Sequence, residues 1–255
     1  MILAHLKKAR VLNNNALKLI AAAAMLVDHF GLIFFPTVLW LRMIGRLAMP
    51  IFAFCIAEGC RYTKNKVRYF SMLFGLGAAC QLVFYFFAPD TLYFGILLSF
   101  SLSVLIVFTL QFAKKVLFAK ERKAWQKTFA WLPFVSLVAG AYVFCHFFEV
   151  DYGFYGCMVP VFASLFDFHR IPAHEKLKKM DVLPLRVLCI SVPLIMLIVL
   201  RGWASLVGYA LFSLPILLLY NGERGTKKMK YFFYIFYPVH LGLLEGIYIL
   251  IYLLQ

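Results

Sequence analysis

The stretch ALKLIAAAAMLVDHFGLIFFP, Ala16 to Pro36, decides how this chain is read. It is long enough to cross a bilayer, since a transmembrane helix needs about 20 mostly apolar residues. Yet it carries Asp28 and His29 at its heart. An ionisable pair at that depth is costly and is by default a functional-site hypothesis. Lys7, Lys8 and Arg10 in front of the run give it the charge pattern of a secretory leader. The run is too long for one, and Arg42 to Arg46 follow it in place of a small-residue cleavage site, so it is read as a retained first helix.

Outward from that helix the composition repeats the theme. The chain is 64% hydrophobic and 15% charged, with a mean hydropathy of +0.86, which excludes an ordinary soluble domain. Lipid tolerates only structures that satisfy every backbone polar group internally, and long apolar runs choose helices over a barrel. The fold class is therefore all-α, a polytopic transmembrane helical bundle in the cell membrane. Nine spans are predicted, at 16–36, 38–60, 69–88, 91–112, 129–148, 153–168, 184–200, 203–220 and 231–254, within a single domain over 1–255. Six cysteines, Cys55, Cys60, Cys80, Cys145, Cys157 and Cys189, lie in apolar segments without a C-x-x-C pair. They read as buried small hydrophobes, with a Cys145–Cys157 bridge left open.

The net charge of +15 would suggest nucleic acid if a soluble domain were there to present it. Instead the charges mark topology. Apart from Lys18, Arg42, Arg46 and Arg201, the Lys and Arg residues fall before the first helix or after the second, fourth, sixth and eighth, with Arg186 counted among them at the start of the seventh. The other connections hold Pro36-Thr37, Pro89-Asp90, Glu149 to Tyr152 and Arg201-Gly202. The positive-inside rule makes the first set cytoplasmic, with the N-terminus inside and the C-terminus outside.

Several polar residues inside the apolar runs then acquire a depth. Asp28 and His29 lie 12 to 13 residues into the first helix, near mid-depth, and Arg46 lies at a matching level of the returning helix. A short connection makes the two helices neighbours, so an Asp28–Arg46 pair is expected, either as a buried salt bridge or as part of a ligand-lined cavity. Pro50 cannot donate to the Arg46 carbonyl and is expected to kink the helix there. His29 titrates near neutrality when unperturbed, which suits proton transfer. Asp28 either orients it or, pointing about 100° away, serves another helix. Lys18, three turns before His29, shares its face nearer the cytoplasmic end.

Glu58 near the inner end of the second helix pairs with Arg61 or Tyr62, or else helps Arg61, Lys64 and Arg68 receive a phosphate-bearing ligand, whose geometry a guanidinium fork matches. Asp151 caps the sixth helix or faces a ligand with Tyr152. In the last helix Tyr237, Pro238 and His240 combine a backbone bend with an intramembrane histidine, which packs by hydrogen bonding or contacts substrate. No metal site is predicted.

These blocks resemble the TraX family: K-L-I-A-A-A-A-M-L-V-D-H-F-G from Lys18, I-G-R-L-A-M-P-I-F-A-F from Ile44 and E-G-C-R-Y-T-K-N from Glu58, followed by R-Y at Arg68-Tyr69. D-Y-G-F-Y-G at Asp151 to Gly156 and K-Y-F-F-Y-I-F-Y-P-V-H-L at Lys230 to Leu241 continue the likeness. The chain departs from the pattern at Tyr93 to Phe100, where Gly95 stands in place of an Asn-led segment and Ser99, Ser101 and Ser103 are the nearest substitutes.

TraX proteins of F-like conjugative plasmids are implicated in N-terminal acetylation of pilin. The resemblance thus implies an integral-membrane acyltransferase moving an acetyl group from cytosolic acetyl-CoA to an amine or hydroxyl. The acceptor would be a peptide or pilin, a sugar or a lipid-linked molecule at or beyond the membrane. His29 is then general base or acyl carrier, Asp28 its orienting or balancing charge and Arg46 the stabiliser of developing negative charge. Glu58, Arg61, Lys64, Arg68 and Lys18 face the donor, as do Lys227, Lys228 and Lys230 more weakly. Asp151, Tyr152, Tyr237 and His240 face the acceptor. The competing class is a proton-coupled transporter relaying through Asp28, His29 and Arg46.

Overall fold

A computed structural model of the chain describes residues 10–87, 93–202, 205–226 and 229–254. Lys7, Lys8, Pro89-Asp90, Lys227 and Lys228 lie outside the described residues, and so do the side chains of Lys230 and Tyr231. The fold is an all-α, multi-span bundle. Among the described residues, seven apolar helices are long enough to cross a membrane: Asn14–Phe34, Leu39–Tyr62, Lys66–Tyr85, Ile96–Leu117, Ala124–Phe147, Leu183–Arg201 and Phe232–Leu253.

The other two predicted spans are occupied by shorter elements, Gly153–Ala163 and Leu206–Leu218. Eleven residues of α-helix rise only about 16 Å, half of a typical hydrocarbon core. The first of these opens on Tyr152 in the left-handed region (φ 59°) and contains Pro160, and the second begins as a 3₁₀-helix, Leu206–Phe212. Both features shorten the regular helix that the apolar runs had promised.

The chain divides into two compact units, residues 1–55 with 198–255, and residues 56–197. In the first, α1 (Asn14–Phe34) is capped by Asn13, whose Oδ1 accepts from the Ala16 N–H at 2.9 Å. The segment before it is tied to the stretch after the 3₁₀-helix by Leu12 N–H to Leu219 O at 3.0 Å and Asn221 N–H to Leu12 O at 2.8 Å. The second predicted span is interrupted, as α2 (Leu39–Gly45) and α3 (Ala48–Tyr62). The break falls at Arg46-Leu47, and Pro50 sits in the first turn of α3, where its missing N–H leaves no helical bond unmade. The expected distortion at the Arg46 carbonyl is thus a two-residue turn within the Leu39–Tyr62 span, with Pro50 in the first turn of the helix that follows. Gly45 lets α1 and α2 close on one another, because a Cβ there would run into the Asp28 side chain. The last helix (Met229–Leu253) packs on α1, with Phe236 and Tyr237 against a core of Ala24, Met25 and Ala48.

In the second unit α4 (Lys66–Phe87), α5 (Ile96–Leu117), α6 (Ala124–Phe129), α7 (Leu132–Phe147) and α8 (Gly153–Ala163) pack around α5. A parallel pair of two-residue strands, Tyr93–Phe94 and Glu149–Val150, joins two connections. At Gly95 the Gln81 amide bridges the chain, donating to the Tyr93 carbonyl at 2.6 Å and accepting from the Gly95 N–H at 3.1 Å. The serines that follow spend their hydroxyls on helix carbonyls. Ser103 also donates to Cys157 O at 2.8 Å, fastening α5 to α8. All six cysteines are free thiols, so the bridge left open for Cys145 and Cys157 is not formed.

Candidate active site

Within the first unit, Asp28 and His29 do point apart and serve different neighbours. The Asp28 carboxylate meets two guanidiniums from the end of α2 and the break beyond it: Arg42 Nη1 to Oδ2 at 3.2 Å and Arg46 Nη2 to Oδ1 at 3.6 Å. Arg42 also donates to the Asp28 backbone carbonyl at 3.2 Å. The expected Asp28–Arg46 pair is therefore present, and Arg42 is an addition. Its spacing from Arg46, i to i+4, puts both on one helical face, a signal available in the sequence. The three side chains are 14–18% exposed, within reach of a ligand but largely removed from bulk solvent.

His29 turns to the last helix. Its Nδ1 lies 3.2 Å from His240 Nε2, with ring centroids 5.1 Å apart. His240 Nδ1 faces the Phe236 carbonyl at 2.8 Å, its ring stacks on Phe236 at 4.8 Å and 7°, and Tyr237 packs edge-on at 5.7 Å. No local pattern announces a contact between residues 211 positions apart. Lys18, on the same helix, places its ammonium 5.4 Å from the Phe233 ring centroid.

Within the second unit the E-G-C-R-Y segment enters a different arrangement. Glu58, 2% exposed, forms an ion pair with Arg186 Nη1 at 2.6 Å, and Arg186 Nε donates to the Ala163 carbonyl at 2.9 Å. Arg61 Nη1 reaches Asp181 Oδ1 at 2.6 Å and Asp167 Oδ1 at 3.4 Å. The same two aspartates receive the Phe168 and His169 N–H groups at 3.0 Å each. Buried Lys114 donates to the carbonyls of Ser164 at 2.8 Å and Leu165 at 2.6 Å, neutralising the C-terminal end of α8. The ion pair seen for Glu58 is to Arg186, a partner that the sequence reading did not weigh. Arg186, Asp167, Asp181 and Lys114 were not singled out from the sequence, since their partners come from remote connections. Lys64 and Arg68 are exposed.

Around Asp151 the helix cap is Tyr152, and its side chain makes no capping bond. Asp151 joins the strand pair through its N–H to Phe94 O at 2.9 Å. Gly156 lies against Tyr152, whose Cβ a side chain at that position would strike.

A profile of the TraX protein family matches residues 13–248. The chain is 27% identical over 242 residues to a probable fimbrial assembly protein, FimC of serogroup H1, from Dichelobacter nodosus, covering 89% of this chain and 92% of that one. An uncharacterized protein of Rickettsia prowazekii (strain Madrid E) is 44% identical over 52 residues, 20% of this chain and 21% of the relative. No solved structure matches the chain.

Proposed function

The chain belongs to the TraX family, and on that premise we propose that this polytopic membrane protein is an acyltransferase. It moves acetyl from acetyl-CoA to an amine or hydroxyl of an acceptor at or beyond the membrane. The observation that carries the reading is the meeting of His29 with His240 at 3.2 Å on a helix where the adjacent Asp28 holds two arginines. An imidazole and a guanidinium pair in one membrane-embedded unit supply the two functions that acyl transfer needs, a proton acceptor and a stabiliser of negative charge.

In the proposed step the acceptor N–H or O–H gives its proton to His29 as its heteroatom attacks the thioester carbonyl carbon. The developing oxyanion is met by Arg46 with Arg42 beside it, their positions set by the Asp28 carboxylate. The C–S bond then breaks, and the CoA thiolate takes the proton back from His29. The products are the acylated acceptor and free CoA, with no net change in the protein.

Lys64 and Arg68 are the proposed contacts for the donor's phosphates, with Lys18 a further donor-side cation. Glu58 and Arg61, engaged by partners of their own, hold the segment that presents Lys64 and Arg68. Asp151, Tyr152 and Tyr237 are proposed for the acceptor side. The donor enters from the face bearing the basic connections, taken as cytoplasmic. The family's association with pilin acetylation and the Dichelobacter relative's description as a probable fimbrial assembly protein both support a pilin-type peptide acceptor.

The test is purified protein in nanodiscs, given acetyl-CoA and a peptide with a free N-terminal amine. Release of CoA with matching peptide acetylation is expected, and His29→Ala should lower it by about 10²–10⁴-fold. Substrate uptake into proteoliposomes without any CoA release would instead make the chain a transporter.

A further inference from the structure

We propose that His240 is a positioning residue: it holds His29 through the Nδ1–Nε2 contact and thereby makes Nε2 of His29 the atom that reacts. This rests on the acyltransferase reading and adds to it the identity of the reactive nitrogen and the residue that selects it.

The chain of reasoning starts at a backbone carbonyl. Phe236 O lies 2.8 Å from His240 Nδ1 and can only accept a hydrogen bond, so that nitrogen carries the proton. With the ring neutral, His240 Nε2 is then a lone-pair nitrogen. It lies 3.2 Å from His29 Nδ1, and two lone pairs do not bond, so His29 Nδ1 carries a proton and donates it. The remaining nitrogen of His29, Nε2, is left with its lone pair. The His29 ring also hydrogen-bonds the Met25 carbonyl one turn earlier, which can only accept and so shares that single N–H, and a bare Nε2 is the property that a base or an acyl carrier needs.

The geometry also explains why His240 can impose this. Its ring is stacked on Phe236 at 4.8 Å and 7° and met edge-on by Tyr237 at 5.7 Å. Both flanking aromatics belong to the cluster around Ala24, Met25 and Ala48, so the plane of the ring is set by packing before the hydrogen bonds are made. His240 itself is 5% exposed. When His29 accepts a proton at Nε2, the lone pair of His240 faces the Nδ1–H of the resulting imidazolium and stabilises it, without itself changing protonation. The carboxylate next door in sequence does not take this role, because Asp28 is occupied by Arg42 and Arg46.

The experiment has two arms. In the first, protein labelled with ¹⁵N-histidine is compared with His29→Gln and His240→Gln samples to assign the ring nitrogens. Both rings should show Nδ1 protonated and Nε2 bare, and a His240→Leu sample, which removes one of the two acceptors facing the His29 ring, should shift the His29 Nδ1 resonance while His240→Gln shifts it less. A His29 ring protonated at Nε2 in the wild type overturns the proposal, and this arm needs no turnover.

In the second arm, His240→Leu, which has no acceptor, should lose about 10- to 100-fold in kcat with KM unchanged, less than the 10²–10⁴ available to the base itself. His240→Gln, whose side-chain oxygen can accept from His29 Nδ1–H, should recover part of that loss. Wild-type kcat in a folded His240→Leu protein, with His29→Ala inactive, would sink the positioning role and leave the acyltransferase reading standing. Full turnover in His29→Ala would sink the catalytic role of His29 and the positioning role with it, whereas no CoA release by the wild type would sink the acyltransferase reading.

Discussion

Two helices carry buried charge, and they use it differently. On α3, Glu58 and Arg61 belong to a charge-balanced cluster: three carboxylates (Glu58, Asp167, Asp181) face three cations (Arg61, Arg186, Lys114), with backbone N–H and C=O groups taking up more of their bonding capacity. On α1, Asp28 shares two arginines, and the adjacent His29 meets His240 at Nδ1 and the Met25 carbonyl one turn back, with Nε2 the nitrogen that the proposal leaves bare. A buried charge in an apolar helix is thus a weak sign of catalysis by itself. The discriminating observation is whether the bonds around it end on themselves or leave a reactive atom.

If that contrast holds, variants on α3 should act on stability and variants beside His29 on turnover. The largest stability effect is expected at the Glu58–Arg186 pair. Replacing Glu58 with Ala leaves a buried guanidinium without its carboxylate and should cost about 3–5 kcal/mol, whereas the apolar double replacement Glu58→Leu with Arg186→Met should recover most of it. Thermal unfolding in detergent reads both. A double variant no more stable than Glu58→Ala would show that the pair does more than balance charge.

Gly45→Ala comes next. The new Cβ strikes the Asp28 side chain, and forcing extra volume into a packed contact costs about 1–3 kcal/mol. Because it pushes Asp28 off its arginines, turnover should fall as well. Unchanged stability would mean that α1 and α2 are not held as closely as the structure has them. The smallest effect belongs to the cap of α1: Asn13→Ala removes the bond to the Ala16 N–H and should cost about 1 kcal/mol, with kcat unchanged. A large loss of kcat there would show that the catalytic helix is far less rigid than its packing indicates.

Much of this was legible in the sequence because it is local. The seven long spans follow from runs of apolar residues, the break near Arg46 from Pro50, and the Asp28–Arg46 pair from matching depths on neighbouring helices. What escaped is long-range or conformational. The union of His29 with His240 joins the first span to the last. Arg61 finds Asp167 and Asp181 in a connection more than a hundred residues on, and Glu58 finds Arg186 beyond it. The two short elements have the apolar length of spans but less regular helix, because hydropathy reports apolar length, whereas Tyr152 in the left-handed region and a 3₁₀ start set helical length. Arg42 could have been found from its i, i+4 relation to Arg46, which the sequence reading left unused.

The most direct test of the central claim is one side-by-side assay of acetyl-CoA turnover and peptide acetylation by wild type, His29→Ala and the Glu58→Leu/Arg186→Met double variant, each in nanodiscs at matched folded concentration. A loss of about 10²–10⁴-fold in His29→Ala, with the double variant close to wild type, is the predicted result. Equal turnover in wild type and His29→Ala would contradict it.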